Sequence, residues 1–453
     1  ATEALSRALE DGFKSVAIAF VHGYRHPQHE VCVSRLARKL GFDQVSASHE
    51  VSPLMRLISR GDTTVVDAYL SPLLRRYVEQ IVGELEPEDR SGPQLMFMQS
   101  NGGLTSAHLF RGKDSILSGP AGGVVGMVRT AEAAGFDKVI GFDMGGTSTD
   151  VSHYNGEYER TFDSMVAGVR VRAPMMNIHT VAAGGGSILK FDGARFRVGP
   201  DSAGANPGPA CYRRNGPLTV TDCNVMLGKL QPDFFPPVLG PDANQSLDSV
   251  IVKSRFEQLA KRIAAETGNS LQAPEVVAGG FLRVAVENMA NAIKKISIQR
   301  GYDVTEYILN CFGGAGGQHA CLVAESLGVN NVLLHPFAGV LSAYGMGLAY
   351  LRSLRERQIE QNLSRDSLSA LEDTCRLLAV ETSDEILSQG VPRHRITLLN
   401  RAHLRYEGTD TALTVPVADE AAMQESFEKR HRSRFGFIVP GRQLIIEAAS
   451  VEA

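Results

Sequence analysis

No apolar run in this 453-residue sequence reaches the length of a transmembrane helix, which excludes a helical membrane span. Neither sign of charge is in excess. The 46 Lys and Arg stand against 50 Asp and Glu, a net charge of −4, whereas a dedicated nucleic-acid binder is normally basic. Cysteine is sparse: Cys32, Cys211, Cys223, Cys311, Cys321 and Cys375 form no CxxC pair and no zinc-knuckle spacing. A chain this long holds a core without disulfide staples, so free thiols and a cytoplasmic location are expected. There is no GxxxxGK[ST] loop, which excludes a P-loop site, and no glycine run has the GxGxxG spacing of dinucleotide-binding folds. Repeats of solenoid type are absent too. No initiator Met is present, and Ala1 leads straight into a helical pattern, so the natural beginning is expected upstream.

What is present is a globular composition, 43% hydrophobic and 21% charged, with 45 glycines in clusters. At roughly 150 residues per domain the length suggests about three domains. Residues 1–135 alternate helix and strand and are expected to form the remainder of a first α/β domain. Helices are expected over 3–11, 30–40, 67–85 and 118–134, and strands over 15–21 and 95–98. The 67–85 helix has Tyr69, Leu70, Leu73, Leu74, Tyr77 and Ile81 at three- and four-residue spacings. A second domain is expected over 136–350. It has a buried strand at 138–142, a hairpin turn signal at 154–157, and further strands near 162–171 and 187–198. A Pro-, Gly- and Asn-rich connector at 232–246 leads into a helical insertion over 247–300. There Phe256, Leu259 and Ile263 share one helical face, and Phe281, Ala285, Met289, Ile293 and Ile296 another; both read as core. A strand follows at 307–310. Residues 351–453 read as a small α+β domain, with helices at 366–389 and 419–434 and strands near 399–407, 411–417 and 443–449.

The glycine clusters carry the chemistry. The first is Asp143, Met144, Gly145, Gly146, Thr147, Ser148, Thr149 and Asp150, after an apolar strand. Glycines let the backbone turn tightly and bring its N–H groups against a ligand, and such groups bind phosphate. The hydroxyls of Thr147, Ser148 and Thr149 add donors. Asp143 and Asp150 would repel phosphate if bare, but make sense with Mg²⁺ between them and the phosphate oxygens. The bland alternative is a tight hairpin whose polar residues only satisfy the turn. Ala182 through Ser187 (AAGGGS) forms a second cluster, for which a hinge or bulge is an equal alternative. Phe312 through Ala320 (FGGAGGQHA) is a strand, a glycine turn and a helix start, an arrangement that aims free N–H groups at a ligand. The fourth, SGPAGG at 118–123, is a weaker phosphate or substrate candidate.

A strand, a DxGGT hairpin, helices and a later glycine turn in this order suggest the α/β architecture of actin, sugar kinases and heat-shock ATPases. There, ribonuclease-H-type domains close over a nucleotide. The two turns are expected to face each other across a cleft. Beyond this pattern the sequence resembles the hydantoinase A and 5-oxoprolinase family, within a group that includes the acetone carboxylase β-subunit. The motifs are SGPAGGVVG at 118–126, GFDMGGTSTDVS at 141–152, TVAAGGGS at 180–187, VGPDSAGANPGPACYRRNGPLTVTDCNV at 198–225, CFGGAGGQHAC at 311–321 and LRYEGTDTAL at 404–413. Asn177 departs from the family, at a position where an Asp is expected.

The resemblance implies ATP-dependent hydrolysis of the cyclic amide 5-oxoproline to glutamate, through phosphorylation of the amide oxygen, with Mg²⁺ and also K⁺. A hydantoinase-type ring or a carboxylase subunit are the alternatives it leaves. On this reading Gly145, Gly146, Thr147 and Ser148 hold phosphate, and Asp143 and Asp150 are the metal and catalytic carboxylates. Gly313, Gly314, Gly316 and Gly317 wall the adenosine, with Cys311 and His319 beside them. Gly185, Gly186 and Arg213 are assigned to the substrate, Arg213 because guanidinium matches carboxylate geometry; a solvated surface arginine is its plain alternative. His319 also reads as a satisfied histidine in a first helical turn, and Asp410 as a turn cap. Family members carry an earlier DxGGT hairpin and further sequence, so this chain is expected to be a fragment. Its partners are expected to be a small cyclic amide, copies of itself, or a second hydrolytic domain or subunit, with no nucleic acid and no membrane.

Overall fold

In the computed structural model, which describes residues 1–85 and 94–453, the apolar run Lys138–Met144 is the central strand of a five-stranded sheet. Its neighbours are the parallel strand Ile308–Phe312 on one side and the antiparallel Thr149–Asn155 on the other. Val332–Leu333 and Ile178–Val181 are the edges. Ile308–Phe312 is buried at every position, as expected of a strand covered on both faces. This sheet belongs to a compact unit made of Gly122–Glu159 and Asn177–Leu348. Its core is closed by two helices. Ser249–Thr267 starts on the Asp248 side chain, which accepts from Ile251 N at 2.9 Å, and stops at Gly268 in a left-handed conformation, φ +70°. Pro274–Ile296 buries Phe281, Ala285, Met289, Ile293 and Ile296, so the expected stripe is the core face. Burying a side chain such as Phe281 contributes roughly 1.5–3 kcal/mol.

The second unit comprises Ala1–Ala121, Arg160–Met176 and Ala349–Ala453. Its main sheet runs Leu354–Asn362, Leu444–Glu452, Leu399–Tyr406, Leu413–Pro416, all antiparallel. One face is apolar: Ala402, Leu404, Tyr406, Ile446 and Val451 form a core with Leu371, Cys375 and Leu378 of helix Arg365–Ser388 and with Met423 and Phe427 of helix Glu420–Phe435. The other face is ionic. Glu452, at the end of a strand buried throughout, accepts both guanidinium donors of Arg160 at 2.7 and 2.9 Å and is also paired with Arg352 and Arg401.

Several expectations change in the structure. The expected strand near 162–171 is a hairpin, Arg160–Val166 and Val169–Met176, reversed at Ala167 and Gly168 with φ +49° and +81°. That is a two-residue turn of the type matching strand twist, with an alanine where Asn or Asp is usual. Likewise 187–198 is a hairpin of Ser187–Phe191 and Phe196–Ser202, whose turn is held by Asp192 Oδ1 accepting from Ala194 N and Arg195 N. The expected 67–85 helix runs Leu57–Leu85, and it buries polar residues while Tyr69, Leu73 and Tyr77 are exposed. Asp67 accepts from Ser46 at 2.6 Å, and Arg60 donates to Leu54 O at 2.7 Å, so hydrogen bonds rather than apolar area hold that face. Among the described residues no helix is long and apolar enough to cross a membrane. All six cysteines are free.

Candidate functional site

Strands Lys138–Met144 and Ile308–Phe312 are parallel, with Phe312 opposite Asp143, so both deliver their following turns to the same sheet edge. Ligands of open α/β sheets sit outside this carboxyl edge. The first turn is closed by Gly145 N donating to Ser148 O at 3.0 Å, leaving Gly146 and Thr147 exposed at its tip. The later glycine turn lies directly beside it. Ala315 N donates to Met144 O at 2.9 Å, and a Cβ on Gly313 would stand 2.4 Å from Asp143 Oδ1. The two turns therefore pack side by side rather than facing each other across a cleft. The middle cluster completes the group: Gly185 N donates to Gly145 O at 3.1 Å and Gly186 N to Gly146 O at 2.6 Å, while Thr149 Oγ1 donates to Ala183 O. Thr221 N, in the first turn of helix Val220–Met226, donates to Gly185 O at 2.8 Å.

The glycines divide by what surrounds them. Gly184, Gly313 and Gly316 are needed by packing: an added Cβ would come within 2.5 Å of Thr147 C, 2.4 Å of Asp143 Oδ1 and 2.8 Å of Cys311 Sγ respectively. Around Gly146, Gly314 and Gly317 a Cβ would meet nothing within 4 Å. The fold does not require glycine at these three. They leave bare backbone facing open space at one edge, the form of a surface that takes a close ligand.

Asp143 and Asp150 are register partners across the hairpin. Burial, with the charge of Asp150 added, pushes the Asp143 carboxyl up to about 6. Burial also raises Asp150, against a 2.6 Å hydrogen bond from Thr180 Oγ1. Sequence reasoning missed Thr180, although it opens the TVAAGGGS motif. Among the described residues no cluster of three or more metal-type ligands occurs. Two carboxylates and neighbouring hydroxyls form a hard-oxygen set, and Mg²⁺ is commonly held by one or two carboxylates together with phosphate oxygens. The residues therefore fit Mg²⁺ delivered with a nucleotide better than a metal caged by protein alone.

The remaining expected residues lie as follows. His319 is fully buried, its ring 3.1 Å from Asn224 Nδ2, and burial lowers its pKa to about 4. Burial pushes the Cys311 thiol up to about 12. At neutral pH the imidazole is therefore uncharged and the thiol protonated. Arg213, at φ +63°, places its guanidinium on Asp248 at 2.9 Å and on Ser246 O at 2.7 Å. Asn177 donates to Glu159 at 2.9 Å, which also accepts from Arg300, so it belongs to a half-buried hydrogen-bond network. Of the 118–123 cluster, Gly122 and Gly123 serve helix packing, since a Cβ would stand 2.7 Å from Ser342 O and 2.9 Å from the Phe312 ring respectively, whereas a Cβ on Gly119 would meet nothing within 4 Å.

The fold and this edge define a class, mixed α/β proteins in which backbone-rich turns flank a carboxylate pair. The hydantoinase/oxoprolinase family profile matches residues 60–355, and that of the family's N-terminal region matches 1–41. The chain belongs to this family. It is 40% identical to a 5-oxoprolinase of Dictyostelium discoideum over 96% of its length and 42% identical to that of Saccharomyces cerevisiae over 98%. It spans only 36% and 34% of those relatives. The crystal structure of an ATP-dependent caprolactamase from Pseudomonas jessenii superposes with a TM-score of 0.86 at 32% identity, covering 100% of this chain and 66% of that one. Nucleotide-free acetone carboxylase shares the fold, with a TM-score of 0.70 at 22% identity, again over 100% of this chain and 66% of that one.

Proposed function

We propose that this chain is the ATP-handling part of an enzyme that hydrolyses the cyclic amide 5-oxoproline to glutamate. The reading is carried by the shared edge where three glycine turns meet around Asp143 and Asp150. The relatives named 5-oxoprolinase, at 40% and 42% identity, support the substrate. The N–H groups of Gly146 and Thr147 and the Thr147 and Ser148 hydroxyls bind the terminal phosphates, while Gly145 N holds the turn closed on Ser148 O. Gly314 and Gly317 present bare backbone to the nucleoside, with Gly313 and Gly316 packed behind them against Asp143 and Cys311. Asp143 and Asp150 hold Mg²⁺, which supplies neutralisation of phosphate charge. Gly185 and Gly186 lie against the phosphate turn, where the lactam has to meet the γ-phosphate.

A lactam is a poor electrophile because nitrogen donates into its carbonyl. Transfer of the γ-phosphoryl group to the amide oxygen releases ADP and makes the ring carbon electrophilic. Water adds to that carbon, and the C–N bond breaks with nitrogen leaving as the amine. The resulting acyl phosphate is hydrolysed to carboxylate and phosphate. The protein's task in the first step is positioning and charge stabilisation. We assign the water-addition steps to a further domain or subunit, and the six free thiols favour a cytosolic setting. The test is titration of this chain with a non-hydrolysable ATP analogue and Mg²⁺, beside a Gly146→Val variant. The added isopropyl group would fill the space above the turn, so an unchanged affinity in the variant overturns the site. A longer polypeptide that releases ADP with hydantoin but not 5-oxoproline would overturn the substrate.

A further inference from the structure

A cavity of about 440 Å³ lies within the unit that holds the four-stranded sheet, lined by residues for which the nucleotide reading has no use. Its size is within the ~300–1,000 Å³ of small-molecule sites. Arg56, Arg172 and Arg405 line it, and so do the carboxylates of Glu360, Glu407, Asp410 and Glu447. The lining includes the turn of the LRYEGTDTAL motif. Arg56 Nη2 donates to the Asp410 carbonyl at 3.1 Å and to its carboxylate at 3.2 Å. Arg405 pairs with both Glu360 and Glu447.

Two features mark this cavity as a built site. Arg172 is buried, yet its contacts to Asp163 and Glu447 are 3.2 and 3.3 Å, longer than the ~2.7–2.9 Å usual for charged pairs. Its buried Nε has no hydrogen-bond partner among the described residues. Beside it, strand Leu354–Asn362 bulges between Gln358 and Gln361, and Glu360 takes a left-handed backbone, φ +54°. A bulge with an unfavourable non-glycine conformation re-aims a side chain, and proteins retain such features next to ligands.

Walls of mixed sign select against a ligand of one sign. A simple anion would meet four carboxylates and a simple cation three arginines. We propose that the cavity binds a free α-amino acid as its zwitterion, the carboxylate on Arg172 and Arg56 and the ammonium on Glu447 and Glu407. The site does not involve the glycine turns and stands whether or not they bind nucleotide.

Isothermal titration of this chain with L-alanine, L-glutamate, glutarate and putrescine tests it. Binding of at least one of the two amino acids with a Kd below about 1 mM is expected, with glutarate and putrescine at least about tenfold weaker. Arg56 and Glu407 are exposed, so Arg56→Gln and Glu407→Gln should keep the native circular dichroism spectrum while losing at least about tenfold in affinity. ATP-analogue affinity should be unchanged in both. No heat from either amino acid at about 10 mM, equal affinity for glutarate, or native affinity in both variants overturns the proposal.

Discussion

A methyl group placed on Gly313 would stand 2.4 Å from Asp143 Oδ1, on a backbone at φ +81°; the same group on Gly146 would meet nothing within 4 Å. The two glycines therefore predict opposite phenotypes. Gly313→Ala combines left-handed strain with overpacking and should cost ~2–4 kcal/mol of stability by urea denaturation. Gly146→Ala should change stability by less than about 0.5 kcal/mol, yet weaken binding of an ATP analogue about tenfold, because the methyl occupies the approach to the N–H groups. Comparable stability losses in both would show that the turns are purely structural. That the glycines cluster was plain from the sequence, but their division was not. Which glycine is crowded depends on residues far along the chain: Asp143 crowds Gly313, and Thr147 crowds Gly184.

Elements were legible where burial follows apolar spacing and obscure where it does not. The Phe281 to Ile296 stripe and the strand before Asp143 were read directly, because both bury hydrocarbon. Strand Leu354–Asn362 (LRERQIEQN) was missed, since both its faces carry charged residues that pair with distant segments. On the face turned away from the helices, burial pushes the Glu356 carboxyl up to about 7. A group held protonated in this way contributes stability that is present below its unfolded pKa near 4.5 and is lost as pH rises to about 7. Burial together with Arg172 and Arg401 lowers His403 to about 3, so its contribution is present above 6.5 and lost as pH falls toward 3. Glu356→Gln removes the first effect alone. Its stability relative to the native protein should therefore improve between about pH 4.5 and about pH 7, on the order of 2 kcal/mol. A difference independent of pH would place Glu356 ionised in the fold.

At the scale of the molecule, each compact unit has its own core, one around Phe281 and one around Phe427. A chain with two cores is not expected to unfold as a single two-state system. Phe281→Ala and Phe427→Ala should each cost ~3–5 kcal/mol, and the calorimetric transition lowered by each identifies its unit. This gives the proposed nucleotide site a global readout, because all three glycine turns belong to the unit built on Phe281. An ATP analogue with Mg²⁺ at about 100 times its Kd adds about 2.7 kcal/mol to the state that binds it. The transition sensitive to Phe281→Ala should rise accordingly, while that sensitive to Phe427→Ala stays within about 1 °C, since a ligand stabilises only what it contacts or what unfolds with it. A rise confined to the Phe427 transition would move the nucleotide away from the sheet edge at Asp143. A rise of both together would show that the two units unfold as one, and Gly146→Ala would then have to abolish the rise for the assignment to hold.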